Sequence, residues 1–205
     1  MIINVKTLKA LLLFAAKKDI RYCLNGIHFE QSATGTVAVA TNGHCLAVAR
    51  LATGTVAVAT NGHCLTVARL DRDSVEPSSF TVPREHLDNV VKGAKGAVDV
   101  VQVDAAQCTL VSTNGKITVP LCDGKFPDWR RVVTPQQTGE KSYYHPDYHA
   151  MVEKAGQLIR PTKFAYMIQQ NGNSVGYTNL NDVIHAYVMP VRSGYETEVI
   201  SSPNW

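Results

Sequence analysis

Apolar and polar positions along the chain follow two rhythms that take turns. Over residues 7–18, Leu8, Leu11, Leu12 and Ala15 recur at helical spacing, which predicts a helix with one apolar face. Residues 21–30 and the runs after them alternate with period two, the mark of half-buried strands. Helical spacing returns over 82–95 through Leu87, Val90, Val91 and Ala94, opening with Pro83, a favoured first-turn residue. Strands are predicted near 98–103, 109–113 and 116–121, with Asn114-Gly115 as a hairpin turn. A third helix over 146–158 carries Tyr148, Met151, Val152 and Ala155 on one stripe, and strands near 163–169, 174–178 and 183–191 follow it. One helix and three antiparallel strands, three times over, predict an α+β fold of three half-domain units with helices on one face of the sheets.

The first unit contains a direct duplication. Residues 33–51 and 52–70 are the same segment twice, differing only at Ala47 and Thr66. Each copy reads as a β-hairpin, with Asn42-Gly43 or Asn61-Gly62 at its turn. The period is short and occurs twice, which argues against a repeat array. Inserting a whole hairpin preserves strand direction and facing, so the flanking sheet survives whether the extra copy joins it or loops out.

Charge changes the picture little: a net +3 permits a polyanionic partner without demanding one. On the helical wheels Lys6, Lys17 and Lys92 point away from the apolar stripes. They are either solvated surface or a row that meets phosphates without reading sequence. Five cysteines without a CxxC pair suit a reduced, cytoplasmic protein. The longest apolar run, 10–16, is too short for a bilayer, and Lys17 and Lys18 stand where a signal peptide would have its cleavage site. His44-Cys45 and His63-Cys64 have the atoms for zinc, but neighbours in a strand point to opposite faces, so no metal site is assigned. No phosphate-binding loop, nucleophile elbow or paired-carboxylate motif is present, so the chain reads as no enzyme and no cofactor is expected.

Five stretches carry a resemblance: DIRYCLNGIHFE (19–30), VATNGHCLAVARL (39–51), FTVPREHL (80–87), DGKFPDWRRVVTP (123–135) and AYVMPVR (186–192). In this order and spacing they resemble the bacterial sliding clamp, the β subunit of the replicative DNA polymerase. The resemblance implies DNA-clamp-like units that close into a ring around duplex DNA, with basic inner helices, so Lys6, Lys17 and Lys92 become expected DNA contacts. It also implies a groove for short peptides of polymerases or repair proteins. Carried over by motif, its residues are Leu24, Thr41, Gly43, His44, Leu46, Pro127, Arg131, Val132, Ser174, Val188, Met189, Pro190, Val191 and Arg192. The second hairpin copy offers Thr60, Gly62, His63 and Leu65 as equivalents. Leu, Val, Met and Pro with Arg at the rim suit a peptide with hydrophobic anchors.

On this resemblance residues 1–122 form a complete clamp-like domain, 123–141 a linker, 142–192 half of another domain, and 193–205 a tail beyond the point where clamps stop. The spacing from Asn25 to Gly43 fits the family backward and that from His63 to Pro83 fits it forward, so one hairpin copy is surplus. The loop that is Asp-Gly-His-Arg in clamps is Asn-Gly-His-Cys here, which removes a carboxylate and a guanidinium. An unpaired half-domain implies a homodimer joined through 142–192, and two such dimers would make a tetrameric ring. The alternative is a non-ring interaction module or decoy that binds clamp-partner peptides without encircling DNA.

Overall fold

The structure, a computed structural model, describes residues 1–32, 35–51, 55–60, 65–70, 77–133, 138–181 and 183–191, with the backbone alone for 55–60 and 65–70. Helix α1 (Val5–Phe14) starts where the Asn4 side chain accepts the Lys6 N–H at 2.8 Å. It ends four residues earlier than the apolar spacing suggested. There Arg84 donates to the carbonyls of Leu12 and Ala15, satisfying groups that a helix terminus leaves open. Helices α2 (Arg84–Val91) and α3 (Pro146–Ile159) lie against α1, which buries Leu8, Ala10, Leu11 and Phe14 completely. Pro83 is the N-cap of α2 rather than its first-turn residue. The predicted 146–158 helix forms almost to the residue.

The strands correct the expected three-stranded units. Strand β1 (Ile2–Asn4) precedes α1 but pairs with β8 (Ala97–Gln102), which follows α2. Reciprocally, β7 (Ser78–Pro83) precedes α2 but pairs with β2 (Gly26–Ser32), which follows α1. The Val5 N–H bonds the Gly96 carbonyl at 2.9 Å, and the Arg84 N–H bonds the Asn25 carbonyl at 2.8 Å. The two units therefore exchange their leading strands about an approximate two-fold axis. One four-stranded sheet runs β1-β8-β9-β10, with β9 at Gln107–Ser112 and β10 at Gly115–Pro120. Thr113 and Asn114 make its last turn, and Gly115 at φ +118° opens the returning strand.

The third unit does not stand apart. Its strands β11 (Gly176–Asn179) and β12 (Ile184–Val188) extend the first unit's sheet, giving the order β11-β12-β4-β3-β2-β7, with β3 at Gly35–Thr41 and β4 at Cys45–Leu51. Residues 163–169, expected as a strand, are irregular apart from a bridge between Gln169 and Tyr177. The first hairpin copy thus sits in the sheet. The second, β5 (Thr55–Thr60) and β6 (Leu65–Leu70), pairs only with itself among the described strands. Strand β4 already has β3 and β12 at its two edges, so it offers the copy no place.

Alternation sorts the six-stranded sheet into two faces. Ile27, Phe29, Ala38, Ala40, Cys45, Ala47, Ala49, Ile184, Ala186 and Val188 point inward to the helices and form the main core. Alanines on β3 and β4 let α1 approach closely. Leu46 and Val48, Val39, Tyr187 and Val175 point outward and form a second, smaller cluster.

Candidate peptide-binding site

The outer cluster gathers residues from four distant parts of the chain. Leu24 comes from the 3-10 turn Tyr22–Leu24, Leu46 and Val48 from β4, and Tyr187 from β12. The fourth part is the segment after β10, which crosses this face and adds Phe126, Trp129, Val132 and Val133. Leu24 is 1% and Leu46 3% exposed, so they form the floor.

Polar bonds fix the crossing segment. The Trp129 indole N–H donates to Glu30 at 2.9 Å, and the Arg130 guanidinium pairs with the same carboxylate. Arg130 also lies 4.4 Å from the Trp129 ring centroid. His28 stacks on Phe126 with ring centroids 4.5 Å apart, and its Nδ1 meets Thr81 Oγ1 at 2.9 Å. Burial pushes the His28 imidazole below its usual range, against the pull of Glu30. Burial also raises Glu30, but the Arg130 and Trp129 bonds outweigh it and hold the carboxyl below its usual range.

The rim is built at the β3–β4 loop. The Asn42 side chain accepts the N–H groups of His44 and Cys45 at 3.0 and 2.8 Å, and Gly43 takes φ +88°. Thr41 pairs with Leu46, so the connection is the four residues 42–45 and not the expected two-residue turn at Asn42-Gly43. Thr41 Oγ1 accepts the Gly43 N–H and donates to the Cys45 carbonyl. Arg21, fixed by Asp19, lies beside Gly43, and its side chain and backbone N–H hold the Asp19 carboxyl down to about 2. His44 stacks on Tyr148, and its carbonyl receives the Met189 N–H at 2.9 Å. Cys45, by contrast, points into the core, where burial pushes its thiol up to about 12, a poor state for metal ligation. Among the described residues no three His, Cys, Asp or Glu side chains gather as a metal site.

The expected groove residues are partly brought together. Leu24, Leu46 and Val132 share the cluster, and Thr41, Gly43, His44, Met189, Pro190 and Val191 form its rim, with Met189 40% and Val191 47% exposed. Ser174 is exposed beside the buried Val175. Pro127 and Arg131 are exposed and line another cavity, of about 580 Å3, where Arg131 pairs with Asp128 at 3.3 Å. Val188 turns inward to the main core, because alternation puts it opposite Tyr187. Thr60 and Leu65 lie on the separate ribbon, while Arg192, Gly62 and His63 fall outside the described residues. Phe126, Trp129, Val175 and Tyr187 are additions; the period-two spacing of His185 and Tyr187 was the available signal.

On the opposite side, Lys6 is exposed on α1 and Lys92 is the exposed C-cap of α2. Lys17, expected on the first helix, is exposed beyond its end. No helix among the described residues is long and apolar enough to cross a membrane.

Exchanged strands, helices on one face and an apolar cleft on the other define an α+β fold of the sliding-clamp kind. The comparisons agree. The beta sliding clamp of Vibrio cholerae is 33% identical over 127 residues, which is 61% of this chain and 30% of that protein. That of Escherichia coli K12 is 29% identical over 120 residues, 58% of this chain and 28% of that protein. No family model matches. The DNA polymerase III subunit beta of Pseudomonas aeruginosa superposes with a TM-score of 0.61 at 18% identity, over 94% of this chain and 66% of that one. The H. pylori beta clamp in complex with diflunisal does so at 0.65 and 12%, over 91% and 63%. At such identities the superpositions show the fold. The sequence match spans less than a third of these curated relatives' length.

Proposed function

We propose that the chain is a non-catalytic, sliding-clamp-like replication factor that docks short peptides of polymerases or repair proteins in its outer cleft. As an oligomer it encircles duplex DNA with its helical side, where Lys6, Lys17 and Lys92 meet phosphates without reading sequence. The reading places it in the cytoplasm. The observation that carries it is the convergence of Leu24, Leu46, Val132 and Tyr187 on one apolar floor beside the half-exposed Met189. Such a cleft suits a peptide that inserts one or two hydrophobic side chains.

A second reading, a decoy that binds partner peptides without closing a ring, has support from β10. This edge strand carries Lys116 and Pro120, residues that discourage edge-to-edge pairing.

Titration of a labelled hydrophobic clamp-binding peptide tests the cleft. Binding in the micromolar range, about −8 kcal/mol, is expected, with marked weakening by Met189→Ala. Absence of binding would remove the proposal. Light scattering separates the two readings, since a ring former is oligomeric and a decoy monomeric.

A further inference from the structure

Beyond the Trp129 and Tyr187 side chains the outer face opens into a cavity of about 450 Å3. Val37, Val48 and Val133 give it apolar walls, and Arg50 stands at its end. Arg50 is exposed, and its guanidinium makes no ion pair or hydrogen bond among the described residues, unlike the neutralised Arg130. A cavity with valine and aromatic walls and, among the described residues, one cation without a counter-charge fits a segment that is apolar and acidic.

The chain carries such a segment. After Val191 the sequence runs RSGYETEVISSPNW, in which Glu196 and Glu198 are the only charged residues beyond Arg192 and lie among Tyr195, Val199 and Ile200. Its point of departure is fixed: Met189 is bonded to His44 and Val191 to Tyr143, at the rim of the cleft. Cys45, which pairs with Val188, lies about 17 Å from Arg50 along β4, and Val191 lies three residues, up to about 10 Å, further from Arg50. Glu198, seven residues past Val191, reaches up to about 23 Å when extended, and the Glu198 and Arg50 side chains add roughly 10 Å, which covers the span of about 27 Å. Length and charge agree.

We propose that residues 192–205 occupy the outer face of their own chain, setting Glu196 or Glu198 against Arg50 and covering the cavity, and so compete with incoming peptides. The competition, though not the tail contact itself, rests on the reading of this face as a peptide site. An attached segment acts at a high effective concentration, so modest contacts suffice.

The test uses the full chain with 5-fluorotryptophan, followed by fluorine NMR, together with the affinity of the labelled peptide above. Glu196→Gln with Glu198→Gln, and separately Arg50→Glu, are expected to shift the Trp129 resonance and to tighten peptide binding about tenfold. Arg50→Glu combined with Glu196→Lys and Glu198→Lys should restore the original resonance and affinity. An unmoved Trp129 signal with unchanged affinities overturns the proposal while leaving the peptide site standing. A Trp129 shift with no peptide binding in any variant supports the tail contact and removes the peptide-site reading. A signal that depends on protein concentration assigns the tail to a second copy and overturns the contact within one chain.

Discussion

Trp129 and Glu30, 99 residues apart in sequence, are joined by a 2.9 Å hydrogen bond from the indole N–H to the carboxylate. The bond holds the segment that roofs the outer cleft against the sheet that floors it. Arg130 shares the carboxylate but is 61% exposed, so its ion pair adds little. Glu30→Ala, which strands the indole donor, should lower stability by about 1 to 2 kcal/mol. Glu30→Gln retains an acceptor oxygen and should cost less. Urea titration followed by tryptophan emission checks the order of the two.

The same clasp responds to acid. His28 has its folded pKa below the ordinary 6.5, chiefly because it is buried. Glu30 lies below its ordinary 4.5, because bonds from Arg130 and Trp129 overcome its burial. In both cases the unfolded state binds protons first, so stability falls as pH drops. The His28 contribution begins to be lost below about 6.5 and the Glu30 contribution below about 4.5. His28→Gln should flatten the upper part of the profile, measured as melting temperature between those limits. An unchanged slope would show that His28 does not titrate with unfolding.

Strand exchange explains one glycine. Gly26 pairs with Pro83 as Ala97 pairs with Asn4, so the two positions are equivalent in the internal symmetry. At Gly26, however, a methyl group would run into the Val82 carbonyl and the Thr81 methyl. Gly26→Ala should therefore destabilise by about 1 to 3 kcal/mol, because the obstacle is backbone. Thermal denaturation is the measurement, and an unchanged midpoint would contradict the packing described for β2 and β7.

Much of this was legible in the sequence, and the gaps have physical causes. Leu8, Leu11 and Leu12 announced α1, but its C-terminus depends on Arg84, which no local pattern reveals. The exchange of β1 and β7 is a long-range pairing between short strands, beyond the reach of periodicity. Residues 163–169 have strand composition, yet form only the bridge at Gln169; composition alone does not supply a pairing partner. Leu24, Leu46 and Val132 came from motif resemblance, whereas Tyr187 needed strand facing, which also sends Val188 inward.

Lys6, Lys17 and Lys92 supply the DNA prediction. Replacing all three by Glu should abolish retention on circular duplex DNA and leave the fold intact, since each is exposed. Retention is best compared at two salt concentrations by gel filtration. Equal retention by the variant would leave these lysines as solvated surface only.

The duplicated hairpin gives the sharpest comparison. Leu51 at the end of β4 pairs with Thr36, Thr36 with Gln31, and Gln31 with Ser78 at the start of β7. Leu51 and Ser78 thus lie in one row across the sheet, three strand spacings or about 14 Å apart. Deleting residues 52–70 leaves Asp71–Pro77 as the connection, seven residues that reach about 23 Å. The shortened chain should therefore keep its fold, with stability within about 1 kcal/mol, because lengthening a connection changes closure entropy only slowly. Deleting 33–51 instead gives the same chain except that Thr66 takes the place of Ala47. Ala47 is fully buried on the inner face in the main core, so threonine there brings an extra methyl and a hydroxyl into a packed site. The second deletion should be less stable than the first by about 1 to 3 kcal/mol. That difference is also a physical reason for the first copy, and not the second, to occupy the sheet. Paired thermal melts decide it: equal midpoints would remove Ala47 as the cause, and loss of folding in both would mean that the second hairpin is not surplus.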